Sequence, residues 1–123
     1  MSSDKLGQFR NAKCINLETY RKNGQAVQTP VWYVIDNDAI YVATPATTGK
    51  IKRLTVNKHV RIVPCNFRGD PKGDWIEAEA YFANKLESEK AIALRKKKYG
   101  LMARLIQIAV YKKGTPVVFG IKI

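Results

Sequence analysis

Lys13-Cys-Ile-Asn-Leu-Glu-Thr-Tyr-Arg-Lys-Asn-Gly-Gln-Ala-Val-Gln-Thr-Pro-Val-Trp-Tyr-Val-Ile35 is the stretch that decides the class of fold. From Lys13 to Tyr20, Ile15, Leu17 and Thr19 recur with a period of two, the mark of a strand. Arg21-Lys22-Asn23-Gly24 follows. Asn-Gly between two such runs is the strongest short hairpin signal, because the tight turn needs positive φ at its centre. Ala26 to Ile35 is rich in Val, Thr, Trp and Tyr and reads as a second strand. Pro30 inside it has no ladder donor, which suits an edge, or a place where a ligand replaces a strand neighbour.

Outward from this hairpin, Asp36-Asn37-Asp38 is a turn and Ala39 to Thr44 a third strand. Pro45 to Gly49 is a loop of small and hydroxyl residues. Lys50 to Asn57 carries Ile51, Leu54 and Thr55 at helical spacing, which predicts a short helix starting near Gly49. Val60 to Cys65 is a fourth strand and Asn66 to Asp74 a loop. Trp75 to Ala83 is a fifth strand, with Ile76, Ala78, Ala80 and Phe82 on one face and Glu77 and Glu79 on the other. Leu86 to Lys98 reads as a helix with Ala91, Leu94 and Lys98 along one side. Its acids lie in the first turn and Arg95-Lys96-Lys97-Lys98 in the last, in keeping with the helix dipole. Gly100 is a stop. Leu101 to Tyr111, with Leu101, Leu105 and Ile108 on one stripe, is a second helix; Lys113-Gly114 breaks it, and Thr115 to Ile123 is the last strand. The order β-β-β-α-β-β-α-α-β suits a mainly β (α+β) domain built as a small antiparallel barrel, not a parallel sheet of βαβ units. One domain over 1–123 is expected, a length that buries a real core.

Charge narrows the partners. Lys and Arg number 22 against 10 Asp and Glu, a net +12 at pH 7, and such a surface attracts polyanions or phosphorylated cofactors. Lys50 to Lys72 holds Lys50, Lys52, Arg53, Lys58, Arg61, Arg68 and Lys72 against a single acid, Asp70. No run approaches the roughly 18 apolar residues of a membrane span, and the first residues lack the apolar stretch of a signal peptide; a cytoplasmic protein without a membrane partner is expected. Cys14 and Cys65 stand in apolar strand contexts and read as buried free thiols. With one histidine, His59, and no C-x-x-C pair, no metal site is expected.

Thr44-Pro-Ala-Thr-Thr-Gly-Lys-Ile-Lys-Arg53 carries the chemistry. It joins a strand end to a helix start, where free N–H groups and the helix dipole make an anion site. Thr47 and Thr48 add hydroxyl donors, Gly49 lets the backbone come close, and Lys50 and Arg53, three apart, share one helix face. It is not the nucleotide-binding P-loop: the glycine required five residues before Gly49 is Thr44, and Ile51 stands where Ser or Thr is needed. No G-x-G-x-x-G occurs either. Glu77 and Glu79 read as solvated or lysine-paired carboxylates, and no residue is singled out as a catalytic acid or base.

Taken in order, Leu17-Glu-Thr-Tyr-Arg-Lys-Asn-Gly24, Thr29-Pro-Val-Trp-Tyr33, Ile40-Tyr-Val-Ala-Thr44, Thr48-Gly-Lys-Ile-Lys-Arg-Leu54 and Val60-Arg-Ile-Val-Pro-Cys65 with Arg68-Gly69 carry a resemblance. The chain resembles the pyridoxamine-phosphate-oxidase-like split β-barrels, and most of all their small single-domain, F-420-dependent type. The match runs from about Ile15 to Ala80. The resemblance implies a six-stranded antiparallel Greek-key split β-barrel with flanking helices. It implies FMN or the deazaflavin coenzyme F-420 as cofactor, and hydride transfer to a small-molecule substrate. Gln28, Thr29, Pro30, Val31 and Trp32 would lie along the ring. Ala43 and Thr44 would reach the ribityl chain or phosphate, and Thr47, Thr48, Gly49 and Lys50 would hold the phosphate, with Arg53 beside them. It also implies a homodimer with cofactor sites at the interface. Lys58-His59 departs from the family's Asn-Pro-Arg-Val run, and Gln28 to Tyr33 lacks the basic ring-edge residues of true pyridoxamine phosphate oxidases, which speaks against vitamin B6 chemistry. Two rivals stand beside this reading: a flavin-binding module without turnover, and a basic barrel for single-stranded nucleic acid. The charge suits the rival with nucleic acid, but the ordered match favours the cofactor.

Overall fold

The computed structural model describes residues 6–112 and 116–123, with side chains through 100 and from 117. A 3-10 turn at Gly7–Phe9 leads into β1 (Cys14–Tyr20), β2 (Ala26–Val31), β3 (Val34–Asp36), β4 (Ala39–Pro45), α1 (Gly49–Val56), β5 (His59–Cys65), β6 (Ile76–Phe82), α2 (Lys85–Lys112) and β7 (Pro116–Lys122). α2 is two helices meeting at Gly100, whose φ of 57° and ψ of −131° interrupt the helix where a stop is expected. The expected stripe of Leu101, Leu105 and Ile108 side chains, the break at Lys113-Gly114 and the strand start at Thr115 lie outside the described residues.

The strands form one antiparallel sheet in the order β2-β1-β5-β6-β7-β4-β3. β2 and β3 are its two edges, yet only Trp32 and Tyr33 separate them in sequence. In a flat seven-stranded sheet the edges would stand about 29 Å apart. Three Cα steps from Val31 to Val34 reach at most about 11 Å. The sheet therefore has to curl until its edges meet, and this closes it into a split barrel. The Greek-key element is the jump from β1 to β5 and from β4 to β7.

The run Ala26 to Ile35 is thus not one strand, and the expected six strands are seven. The break has a side-chain cause. Tyr33 turns its ring into the core, 1% exposed, and its hydroxyl donates to the carbonyls of Phe9 and Ala12. Its backbone N–H donates to the Tyr99 hydroxyl at 3.1 Å, and its carbonyl accepts from Lys98 Nζ at 3.0 Å. Two side chains of α2 replace the ladder partners that Tyr33 would need in a strand.

Inside the barrel, Ile15, Leu17, Val31, Ile40, Val42, Val60, Ile62, Phe119 and Ile121 form the main core, and Leu54 of α1 caps it. A second core lies outside β3, β4 and β7, where Val34, Tyr41 and Val118 pack against Ala91 and Leu94 of α2. The expected inward side of that helix is its packed side. Both hairpin turns match the sequence reading: Gly24 has φ of 89°, and Asn37 and Asp38 have φ of 49° and 64°. β2 is an edge strand, as its proline requires. Thr55 does not join the inward face of α1; its hydroxyl donates to the Ile51 carbonyl at the surface. Trp75 sits just before β6, under the Arg61 guanidinium.

Candidate functional site: an uncapped helix start among unpaired cations

β4 ends where Pro45 lies opposite Pro116, since neither residue has an N–H to continue the ladder. The chain then turns through Ala46 and Thr47 into α1. Thr48 is the N-cap residue by position, with extended φ and ψ of −73° and 156°, but its side chain does not cap. Its hydroxyl instead donates to the Pro45 carbonyl at 3.0 Å and lies 3.4 Å from the Thr44 hydroxyl. No acidic residue stands in the first turn. The first-turn N–H groups of α1 are left without a side-chain acceptor, so the helix start offers donors and partial positive charge to an anion.

Cations surround these donors. Arg53 Nε donates to the buried Thr19 hydroxyl at 2.6 Å, which folds its guanidinium back over Gly49. A Cβ at Gly49 would stand 2.7 Å from Arg53 Nη1, so a larger residue there would push the guanidinium aside. Burial, then the neighbouring charge of Arg21, pushes Arg53 down from its ordinary value. Burial, then the charge of Arg53, does the same to Lys50. Among the described residues, the carboxylates within 4 Å of a basic side chain are Glu77 at His59, Glu18 at Arg61 and Asp36 at Lys90; none relieves Arg21, Lys50 or Arg53. A cleft of about 550 Å³ opens beside them, lined by Arg21, Lys22, Asn23, Gly49, Lys52 and Arg53. Mutually repelling, partly desolvated cations with no counter-charge are unfavourable in themselves, and a bound anion would relieve them.

The structure brings together Thr44, Thr47, Thr48, Gly49, Lys50 and Arg53. The other expected site residues lie elsewhere. Ala43 faces away from Thr44, in the second core. Val31 is in the main core, 9% exposed. Gln28, on the outer face of β2, donates to Glu18 at 2.9 Å. Pro30 lies beside Gly69 of the 66–70 turn, within van der Waals reach of where a Cβ on Gly69 would be. Thr29 is half-buried between them. Trp32 stacks on Tyr99, centroids 4.1 Å apart and planes 6° from parallel, with the Arg95 guanidinium carbon 5.6 Å from its ring centroid. Thr19 and Arg21 belong to the cationic cluster and were not singled out from sequence. Thr19 carries the only available signal, a hydroxyl on the inward face of a strand otherwise lined by Ile15 and Leu17. Glu77 is solvated as expected, its side chain 76% exposed, and its carboxylate lies 3.5 Å from His59 Nε2.

No protein-family model matches the chain, and no curated protein matches it in sequence. Solved structures do. The heme storage protein HutZ of Vibrio cholerae superposes with a TM-score of 0.71 at 16% identity, covering 96% of this chain and 87% of that one. A FAD-binding protein of Mesorhizobium loti gives 0.64 at 17%, covering 95% and 83%. A Listeria innocua protein provisionally described as a pyridoxamine 5'-phosphate oxidase gives 0.67 at 13%, covering 94% and 87%. The fold is that of the pyridoxamine 5'-phosphate oxidase-like split barrels. At these identities the likeness carries the fold and not the activity.

Proposed function

We propose that the chain binds a phosphorylated flavin-type cofactor, FMN or the deazaflavin F-420, and is an oxidoreductase that passes hydride between it and a small acceptor. The observation that carries this is the uncapped start of α1 beside Lys50, Arg53 and Arg21, three cations with no acidic partner among the described residues. A phosphate there would take the first-turn N–H groups and the Lys50 ammonium, with Arg53 held in place by Thr19. The Mesorhizobium loti protein of the same fold, which binds FAD, supports a flavin. A bound flavin or deazaflavin supplies the hydride chemistry itself. This chain's part is to hold the phosphate at the start of α1 and to keep water from the ring. On this reading a second copy completes the pocket, and the working form is a cytoplasmic homodimer.

The test is an absorbance spectrum of the purified protein, then fluorescence titration with FMN and with F-420. Saturable binding of one is expected. Lys50→Ala should weaken it by about 1–3 kcal/mol, the scale of a hydrogen bond to a charged group. Unchanged affinity in that variant overturns the site. Binding without turnover of any acceptor would leave a carrier module. Failure to bind either cofactor, together with salt-sensitive binding of single-stranded oligonucleotides, would make the barrel a nucleic-acid protein.

A further inference from the structure

Cys14 and Cys65 are the chain's only two cysteines. The β1–β5 ladder sets them directly opposite one another, and both are free thiols. Directly opposed residues of an antiparallel pair point to the same face, with Cα atoms about 4.5–5.5 Å apart. A disulfide spans Cα separations of about 4.4–6.8 Å. The two sulfurs are therefore neighbours by virtue of the register, across a sequence gap that no local signal bridges. Cys14 is the first residue of β1 and Cys65 the last of β5, so both sit where a ladder opens most readily. Cys65 also begins the turn that carries Gly69 over Asn16, whose Nδ2 donates to the Gly69 carbonyl at 3.1 Å.

We propose that Cys14 and Cys65 are an oxidisable dithiol site, which a peroxide converts into an intramolecular cross-strand disulfide. One sulfur attacks the peroxide: an S–O bond forms, the O–O bond breaks, and the departing oxygen leaves as water with the thiol proton. The second sulfur then attacks the first: the S–S bond forms, the S–O bond breaks, and the second oxygen leaves as water. The two thiols lose two electrons in all, and hydrogen peroxide is reduced to two waters. Cys14 is the better first nucleophile, because the Lys98 ammonium favours its thiolate. Both residues are 2% exposed, and burial raises both thiols above their ordinary value. The pair accordingly stays reduced until oxidant is in excess and the strand ends open. This inference does not depend on the cofactor reading.

The full-length protein is incubated with hydrogen peroxide, denatured with an alkylating agent and analysed by intact mass and peptide mapping. The expected product is a monomer lighter by two hydrogens, with neither thiol alkylated and a Cys14–Cys65 linked peptide that dithiothreitol dissolves. Its thermal midpoint should rise by roughly 5–15 °C over the reduced protein. Cys14→Ser and Cys65→Ser should each abolish the linked product, and the wild-type map stands without them should either fold poorly. Two alkylatable thiols after treatment, a disulfide only between chains, or oxidation to sulfinic acid without the link would each overturn the proposal.

Discussion

Arg53 of α1 is fastened to Thr19 of β1 by an Nε–Oγ1 hydrogen bond of 2.6 Å, which ties the guanidinium to the barrel wall. Thr19 is 1% exposed, so its hydroxyl has no water to offer in exchange. Thr19→Val keeps the shape and removes the acceptor. It should lower stability by about 1–3 kcal/mol, the cost of an orphaned polar group at a charged partner. It should also weaken FMN or F-420 binding, since the guanidinium is no longer held over Gly49. Urea unfolding checks the first effect and fluorescence titration the second.

Glu18 is a buried carboxylate on the barrel's outer face. It accepts from Tyr20 Oη at 2.7 Å, from Gln28 Nε2 at 2.9 Å and from Arg61 Nη1 at 3.3 Å. Burial alone would raise it, but these hydrogen bonds and the Arg61 charge outweigh burial and hold it below 4.5. A carboxyl depressed in the folded state stabilises above its unfolded value and loses that contribution as the pH falls through its folded one. Glu18→Gln should cost about 1–3 kcal/mol at neutral pH. The gap to wild type should shrink as the pH falls below 4.5, read as urea midpoints across the acid range.

Lys98 gives the opposite slope. Its Nζ lies 3.5 Å from the Tyr33 ring centroid, and burial lowers it from 10.5 to about 8, with Cys14 acting weakly the other way. Between these values the unfolded chain holds more protons here than the folded one, so stability rises with pH across that window. Below about 8 both states are charged and the penalty is complete. Tyr99, pushed up from 10 to about 12 by burial, and Tyr33, also raised by burial, act in reverse and bring stability down above 10. Lys98→Met should remove the rise and leave the alkaline fall, which a pH series of thermal midpoints will show.

Gly120 of β7 faces the Tyr81 ring so closely that a Cβ would collide with its Cζ, Cε1 and hydroxyl. Tyr81 in turn donates to the Tyr41 hydroxyl at 3.0 Å, and Tyr41 to Glu87 at 2.9 Å. Glu87 closes a reciprocal cap with Asn84 at the start of α2, with bonds of 2.8 and 3.1 Å. Gly120→Ala displaces the ring and this chain of bonds together. A loss of about 1–3 kcal/mol is expected, the usual cost of overpacking, measurable by chemical denaturation. Gly120→Ala with Tyr81→Phe should recover little of it, because the ring atoms Cζ and Cε1 stand nearer than the hydroxyl.

Reading the chain residue by residue was enough wherever a local rule governs. Gly24 and Asn37-Asp38 turn because their positive φ values suit the turn, with no help from the rest of the molecule. The start of α1 at Gly49 was legible from the change of period, and the stop at Gly100 from glycine's access to positive φ. Thr44, Thr48, Gly49, Lys50 and Arg53 were legible as one site because they lie within ten residues, where helix geometry fixes who meets whom.

What only the tertiary structure decided is long-range. The strand from Ala26 breaks at Trp32 and Tyr33 because Lys98 and Tyr99, more than sixty residues on, satisfy the Tyr33 backbone. Gln28 and Pro30 part company with the Lys50 cluster because β1 and the 66–70 turn hold them. Thr19 and Arg21 join that cluster because α1 folds across β1. Composition, period and capping are properties of neighbours along the chain and can be read from it. Register, barrel closure and the meeting of distant side chains depend on which surfaces pack, and that is settled only when the sheet curls until its edges meet.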